Sequence, residues 1–227
     1  FVLSTIRMRI RDEVRREEVE KSLQDEVMEA REKALVDPLT RCFNRYKFSD
    51  AFPEWVKVAQ DTDGHLALMM LDIDFFKRVN DDYGHDEGDH VLRVFAGILH
   101  TSLDRRHLLI RWGGEEFVIL CLHYTLEDAE ILADHLRQRI EQAPICNYRP
   151  IQCSIGVSRW HGAQKDTAET LLKRADDALY QAKQEGRNCV RVEQPEGAAS
   201  GGETPDCTED SLPGSGEKAC AENAPVH

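Results

Sequence analysis

The apolar and polar positions of this chain fall into three regimes, and only the middle one, residues 37–193, alternates between two periodicities. Short apolar runs recur there: HLALMMLDID at 65–74, LLIRW at 108–112, FVILCL at 117–122 and IQCSIGVS at 151–158. Runs of that length, rich in β-branched and large apolar residues, predict strands. Helical stretches separate them. Asn44 is placed to cap a helix running to about Asp61, and a second helix covers roughly 86–103. Thr125 opens a third with Asp128 as its capping-box partner, and a fourth runs about 167–185 ahead of Gly186. One sheet with flanking helices, an α/β sandwich, follows. The segment RWGGEEFVIL sets two Gly and two Glu between apolar runs, the form of a β-hairpin with its acids at the turn. The chain shows no internal repeat.

The flanking regimes differ in kind. Residues 1–36 hold eight Lys/Arg and nine Asp/Glu with no Gly or Pro, and Ile10, Val14, Leu23, Val27, Ala30 and Ala34 fall three or four apart over most of the length. This predicts a long charged helix with a narrow apolar stripe. A stripe so narrow cannot bury itself alone, so the segment reads as a coiled-coil-like stalk that pairs with a second copy or a partner's helix; the bland alternative is a solvated helix that caps the domain. From Gln194 to His227 the chain has no aromatic residue, four of its eight Pro, seven acids and one Lys. Such a segment cannot collapse and is expected to be disordered.

Composition narrows the function. A chain of 227 residues, 41% hydrophobic and 31% charged, is long enough for one real core and too short for two full-sized domains. The net charge of -13 argues against a phosphate-backbone binder, so nucleic acid is not an expected partner. No apolar run approaches the ~18 residues of a membrane span. Cys42, Cys121, Cys146, Cys153, Cys189, Cys207 and Cys220 form no CxxC pair and follow no signal peptide, which favours reduced thiols and a cytoplasmic catalytic domain. The chain begins at Phe1 with the apolar FVLSTI, which leaves open a membrane tether upstream.

Candidate chemistry gathers where the first strand ends. LMMLDIDFFKRVNDDYGHDEGD begins as a buried strand, releases acids at its C-terminal end, and continues into a Lys and a helix start. A carboxylate preceded by six apolar residues is seldom a mere solvated charge. With a second carboxylate from the Gly-Gly-Glu-Glu hairpin, Asp72 and Glu115 could hold Mg²⁺, which takes oxygen ligands and bridges carboxylates to phosphates. Backbone N–H groups of Phe75 and Phe76 would face those phosphates, with Lys77 adding a mobile positive charge. Each element alone is as well explained by a surface turn.

The combined motifs carry more. DPLT at 37–40, Asn44-Arg45, DIDFFKRVND at 72–81, GHDEGD at 84–89, GGEEF at 113–117, SIGV at 154–157 and ADDALYQAKQEGRN at 175–188 resemble, in order, the GGDEF family of diguanylate cyclases. The resemblance implies a ferredoxin-like nucleotidyl-cyclase palm, here with an N-terminal helical stalk, that condenses two GTP into cyclic di-GMP. Residue by residue, it assigns Asp72 and the Ile73 carbonyl to Mg²⁺ (Mn²⁺ being the alternative), and Glu115 to the metal and to the base on the ribose 3′-OH. It assigns Glu116 to a second metal and Asn80 and Asp89 to guanine, with His85 either beside the nucleotide or a structural turn histidine. Lys77 stabilises charge during transfer, and Lys183 and Arg187, one helical turn apart, grip the terminal phosphates.

Glu115 replaces the family's Asp and keeps the carboxylate. The family's inhibitory product site, RxxD, is departed from: its positions are Asp104 and His107 here, so feedback inhibition there is expected to be missing or weak. One site holds one GTP and the product is two-fold symmetric, so the resemblance implies a homodimer. The stalk then tethers two catalytic domains, with DPLT as the hinge, and the layout is similar to family members whose stalk is bound by a small regulatory protein. The rival readings are a non-catalytic nucleotide receptor signalling by protein contact, an enzyme for adenine nucleotides, and a coiled-coil scaffold.

Overall fold

The structure is a computed structural model that describes residues 34–62, 64–145 and 150–194, together with 15, 19–21 and 23 of the stalk segment. The chain divides into two units, Phe1–Gln194 and Pro195–His227. The disorder expected of the tail, and most of the expected stalk, lie outside the described residues. Residues 15, 19–21, 23 and 34 are helical, while Val36 bridges to Phe43. Among the described residues no helix is long and apolar enough to cross a membrane.

Strand β1 is Phe43–Asn44, and helix α1 is Arg45–Asp61, capped as expected by the Asn44 side chain, which accepts from the Tyr46 N–H. Strand β2 is Leu66–Ile73; two helices, α2 (Phe76–Tyr83) and α3 (His85–Ser102), follow it. Then come β3 (His107–Gly113), β4 (Glu116–Leu122) and α4 (Leu126–Gln142), the last with the Thr125–Asp128 capping box formed. Strand β5 is Cys153–Arg159, helix α5 is Ala168–Gln184, and β6 is Val190–Val192. The sheet order is β1-β3-β4-β2-β5-β6. Strands β2, β3, β4 and β5 pair antiparallel with helical crossovers between them, which is the ferredoxin-like βαββαβ arrangement; β1 and β6 extend it by parallel pairing at the edges.

β2 is buried at all eight positions because helices cover both faces of the sheet. Strand periodicity sorts its side chains. Ala67, Met69, Leu71 and Ile73 join the core beneath α3 and α4, with Phe95, Leu99, Leu136 and Ile140, while Leu66, Leu68 and Met70 join the core beneath α1 and α5, with Phe48, Phe52, Leu171 and Leu179. The alternation carries Asp72 onto the α5 side.

The helix start expected after β2 is present as α2, an eight-residue helix joined to α3 at Gly84 (φ +87°), where a side chain would be strained. One expectation is corrected. Arg187 is not one helical turn beyond Lys183 on the same helix. Helix α5 ends in a Schellman turn, in which Gly186 takes φ +115° and the Arg187 N–H donates to the Ala182 carbonyl at 3.0 Å. The edge strands β1 and β6 are additions that the apolar pattern did not predict.

Gly156 sets how closely α5 lies on the sheet. A Cβ there would stand 2.0 Å from the Ala175 carbonyl oxygen and 2.3 Å from the Leu179 nitrogen, both backbone atoms of α5 that cannot swing aside. The same close approach brings Lys183, one turn past Leu179, over the end of β2. Gly156→Ala is therefore expected to lower stability by at least the ~1–3 kcal/mol typical of overpacking, read from denaturant unfolding, whereas Gly97→Ala, with nothing within 4 Å, is expected to leave the midpoint unchanged or raised.

Candidate functional site

The site is built at the C-terminal end of β2. Asp72 lies there, 7% exposed, opposite Glu116 in the β2–β4 register and opposite Ser154 in the β2–β5 register. Burial is the largest influence on its carboxyl and raises its pKa; Glu115 and Glu116 raise it further, and Lys183 pulls the other way. The Lys183 ammonium sits 2.9 Å from Asp72 Oδ2. A half-buried cation has been drawn onto a buried anion that has two more carboxylates nearby.

Glu115 is delivered by the hairpin. The β3–β4 register shifts between Arg111 and Gly113, Gly114 adopts φ +38°, and Gly114-Glu115 form the turn between Gly113 and Glu116. The Ile73 N–H reaches the Glu115 carbonyl at 3.4 Å, a long contact that joins the turn to the end of β2. Arg111, which the sequence reading passed over, fastens the turn from outside: its Nε and Nη2 donate to the Gly114 carbonyl at 3.1 and 2.8 Å, and its Nη1 donates to Asp37 Oδ1 at 3.0 Å. Asp37 also accepts from the Thr40 N–H and hydroxyl, so the 37–40 turn and the signature turn share one arginine.

The remaining expected residues follow β2. Phe75 takes left-handed backbone angles (φ +58°) at the entry to α2, whose first turn has no side-chain cap. Phe76 is buried, and Lys77 is exposed one residue later. Asn80 lies against α3, because Gly88 faces it so closely that a Cβ would meet Asn80 Oδ1 at 1.9 Å. Asp89 is one residue beyond Gly88 and pairs with Arg93 at 3.5 Å. His85 is exposed at the first position of α3. The structure thus gathers Asp72, Ile73, Glu115, Glu116 and Lys183 at one sheet end and sets Asn80 and Asp89 on the adjoining α2–α3 pair.

Asp74 is the residue most easily misread. It is 2% exposed, yet it is a structural group with both oxygens engaged: the Ser154 hydroxyl donates to one at 2.7 Å and the Asn188 N–H to the other at 2.9 Å. Only its spacing from Asp72 was visible in the sequence; its partners lie 80 and 114 residues away. Among the described residues no three His, Cys, Asp or Glu side chains form a preassembled metal cage. The oxygen donors at this sheet end are instead a few carboxylates and a carbonyl, a partial set of the kind that Mg²⁺ commonly completes with water or phosphate oxygens.

The positions of the family's product site are occupied differently. Asp104 accepts from Arg106 and its backbone N–H donates to His107 Nδ1 at 3.1 Å, and the Arg106 bonds hold its carboxyl down at about 2. His107 is buried against Tyr124, ring centroids 4.9 Å apart. Cys42, Cys121, Cys153 and Cys189 are free thiols, and burial pushes Cys42 up to about 11, so it is no nucleophile.

Comparison with known proteins agrees with this geometry. The family model for the diguanylate cyclase GGDEF domain matches residues 34–189. Diguanylate cyclase DgcP of Pseudomonas aeruginosa is 39% identical over 176 residues, 76% of this chain, which spans 26% of DgcP's length. The crystal structure of the coiled coil and GGDEF domain of DgcB from Caulobacter crescentus, in complex with c-di-GMP, superposes with a TM-score of 0.70 at 26% identity, covering 82% of this chain and 98% of that one. Diguanylate cyclase SiaD from Pseudomonas aeruginosa, in complex with its activator SiaC, superposes with a TM-score of 0.65 at 30% identity, covering 83% and 76%. A ferredoxin-like sheet that ends in a buried aspartate facing a Gly-Gly-Glu-Glu turn, matched by the family model along more than half its length, places this chain in the GGDEF diguanylate cyclase family.

Proposed function

We propose that the chain condenses two GTP into cyclic di-GMP and releases two pyrophosphates, with Mg²⁺ (or Mn²⁺) as cofactor and two copies acting together. The observation that carries this reading is the buried Asp72 carboxylate beside Glu115 and Glu116, balanced by Lys183 at 2.9 Å. Lys183 stands in for a cation. Asp72, the Ile73 carbonyl, Glu115 and Glu116 offer oxygen alone, which suits a hard divalent ion and not a thiol- or imidazole-seeking one. The ion, when bound, neutralises phosphate charge and polarises the reacting oxygens.

The chain's own groups do the rest. The Glu115 carboxylate takes the proton from the ribose 3′-OH. The freed oxygen forms a bond to the α-phosphorus of the GTP held by the second copy, and the bond from that phosphorus to pyrophosphate breaks. Phe75 and Phe76 N–H groups and Lys77 meet the phosphates; Asp72, the Ile73 carbonyl, Glu115 and Glu116 would hold the metal ion, and Lys183 and Arg187 bind the terminal phosphates. Asn80 and Asp89 select guanine, since a carboxylate accepts from N1–H and the exocyclic amine that adenine does not present in that way. His85 flanks the nucleotide at the start of α3.

Two half-sites must face each other, so activity requires a homodimer, and the stalk is where it is regulated. Val19 and Leu23 are 63% and 59% exposed on helical positions, apolar surface that a second helix or a regulatory protein would cover. The likeness to SiaD, solved with its activator SiaC, supports a regulatory protein in that role. Asp104 and His107 stand where the family's product site has Arg and Asp, so feedback through that site is missing or weak.

Glu115→Gln is expected to abolish cyclic di-GMP formation while circular dichroism and the melting midpoint stay as in the parent; turnover by a folded Glu115→Gln protein would remove Glu115 from its role. Asp72→Asn is expected to abolish turnover and to stabilise the metal-free protein at neutral pH. The sign follows from the raised pKa of Asp72: its charged form opposes folding above its folded pKa, an amide removes that opposition, and below both folded and unfolded pKa values the two proteins converge. Chemical denaturation from pH 4 to 8 with chelator present checks it, and a variant less stable than the parent at neutral pH would contradict it.

A further inference from the structure

The turn that carries Arg187 is costly and is held on purpose-built contacts. Gly186, Arg187 and Asn188 adopt φ of +115°, +67° and +48°, so three residues in succession are left-handed and two of them have side chains. The conformation persists because Asp74 Oδ2 accepts from the Asn188 N–H at 2.9 Å and Glu141 Oε1 accepts from the Asn188 side-chain amide at 2.6 Å. The buried carboxylate at position 74 therefore fixes the backbone beneath Arg187.

The next residue along β2's exit holds the side chain. The Arg187 guanidinium carbon lies over the Phe75 ring, 4.6 Å from its centroid, and that of Arg78 lies 4.7 Å from the same centroid. Phe75 is itself left-handed and 38% exposed, so its ring stands at the site's edge. A guanidinium held by its face spends none of its N–H donors on the contact, and all of them remain for a phosphate. Lys183, by contrast, is engaged with Asp72.

We infer that the Phe75 side chain is a positioning residue for the nucleotide's terminal phosphates: its ring is a shelf that pre-orients Arg187, on a turn pinned by Asp74. The inference rests on the reading of Arg187 as a phosphate-binding group and goes beyond the backbone role given to Phe75 above. An arginine already oriented loses less side-chain freedom when the triphosphate arrives, so the shelf acts on affinity for the β- and γ-phosphates and not on recognition of guanine.

The test is equilibrium binding to the full chain of GMP and of a GTP analogue with a non-cleavable α,β-bridge, for the parent, Phe75→Leu, Phe75→Tyr, Arg187→Ala and the Phe75→Leu/Arg187→Ala pair, with melting midpoints alongside. Phe75→Leu is expected to weaken the analogue about two- to fivefold, the range of an exposed cation–π contact, and to leave GMP binding unchanged. Phe75→Tyr is expected to restore the analogue's affinity, and Phe75→Leu to have no further effect once Arg187 is Ala, because the loss is shared. Arg78 shares the ring, and the cycle with Arg187→Ala isolates the Arg187 part. Phe75→Met, which keeps bulk without a π-face, gives the same readout should the Leu variant fold poorly. Losses that simply add, or equal losses for GMP and the analogue, would overturn the shelf while leaving Arg187's own role intact. An Arg187→Ala protein that binds the analogue as tightly as the parent would overturn both.

Discussion

Burying the Asp72 carboxylate at the end of a strand covered on both faces is the constraint around which the catalytic end of this molecule is arranged. β2 has no solvent-facing side, so its period of two sends Asp72 into the layer between sheet and α5, where a charge is expensive. The cost is met by a cation, and the cation is supplied by α5 because Gly156 lets that helix approach the sheet within backbone contact. Glu116, brought opposite by the β2–β4 register, and Glu115, on the turn beside it, deepen the negative potential. On the proposed reading, a divalent ion would compete with Lys183 for this carboxylate and leave the ammonium to phosphate.

The hairpin that delivers Glu115 is tied into the same frame. Arg111 bridges the Gly114 carbonyl and Asp37, so the turn that bears the acid and the turn at which the stalk segment joins the sheet are two ends of one side chain. Asp74, Asn188 and Glu141 perform a comparable task on the opposite side by pinning the loop after α5. Rigid supports on either side of a charged centre are what phosphoryl transfer asks of a protein, since positioning and charge neutralisation supply most of its rate.

Much of this was legible in the sequence, and the exceptions have physical reasons. The long strands, the Gly-Gly-Glu-Glu hairpin and the caps at Asn44, Thr125 and Gly186 announce themselves because each depends on neighbours within a few residues. β1 and β6, at two and three residues, are too short to show a period and exist because a longer strand offers them an edge. The expected fourth strand begins two residues later than its apolar run, since Ile151 is buried without being in the ladder. Arg187 was misplaced because spacing alone continues a helix that its Gly186 terminates. Asp74 and Arg111 were unreadable as supports because Asp74's partners are 80 and 114 residues away and the Asp37 that Arg111 ties to the turn is 74 residues away, and a carboxylate two positions from a metal-binding candidate looks the same in sequence whether it binds an ion or a backbone N–H.

The most direct test of the account is to incubate the full chain with GTP and Mg²⁺ over a hundredfold range of protein concentration and identify the products by chromatography and mass. The account predicts cyclic di-GMP and pyrophosphate, abolished by chelator, with a rate per protomer that climbs with concentration as half-sites meet. A rate per protomer independent of concentration down to the most dilute sample, together with a product other than cyclic di-GMP, would contradict it.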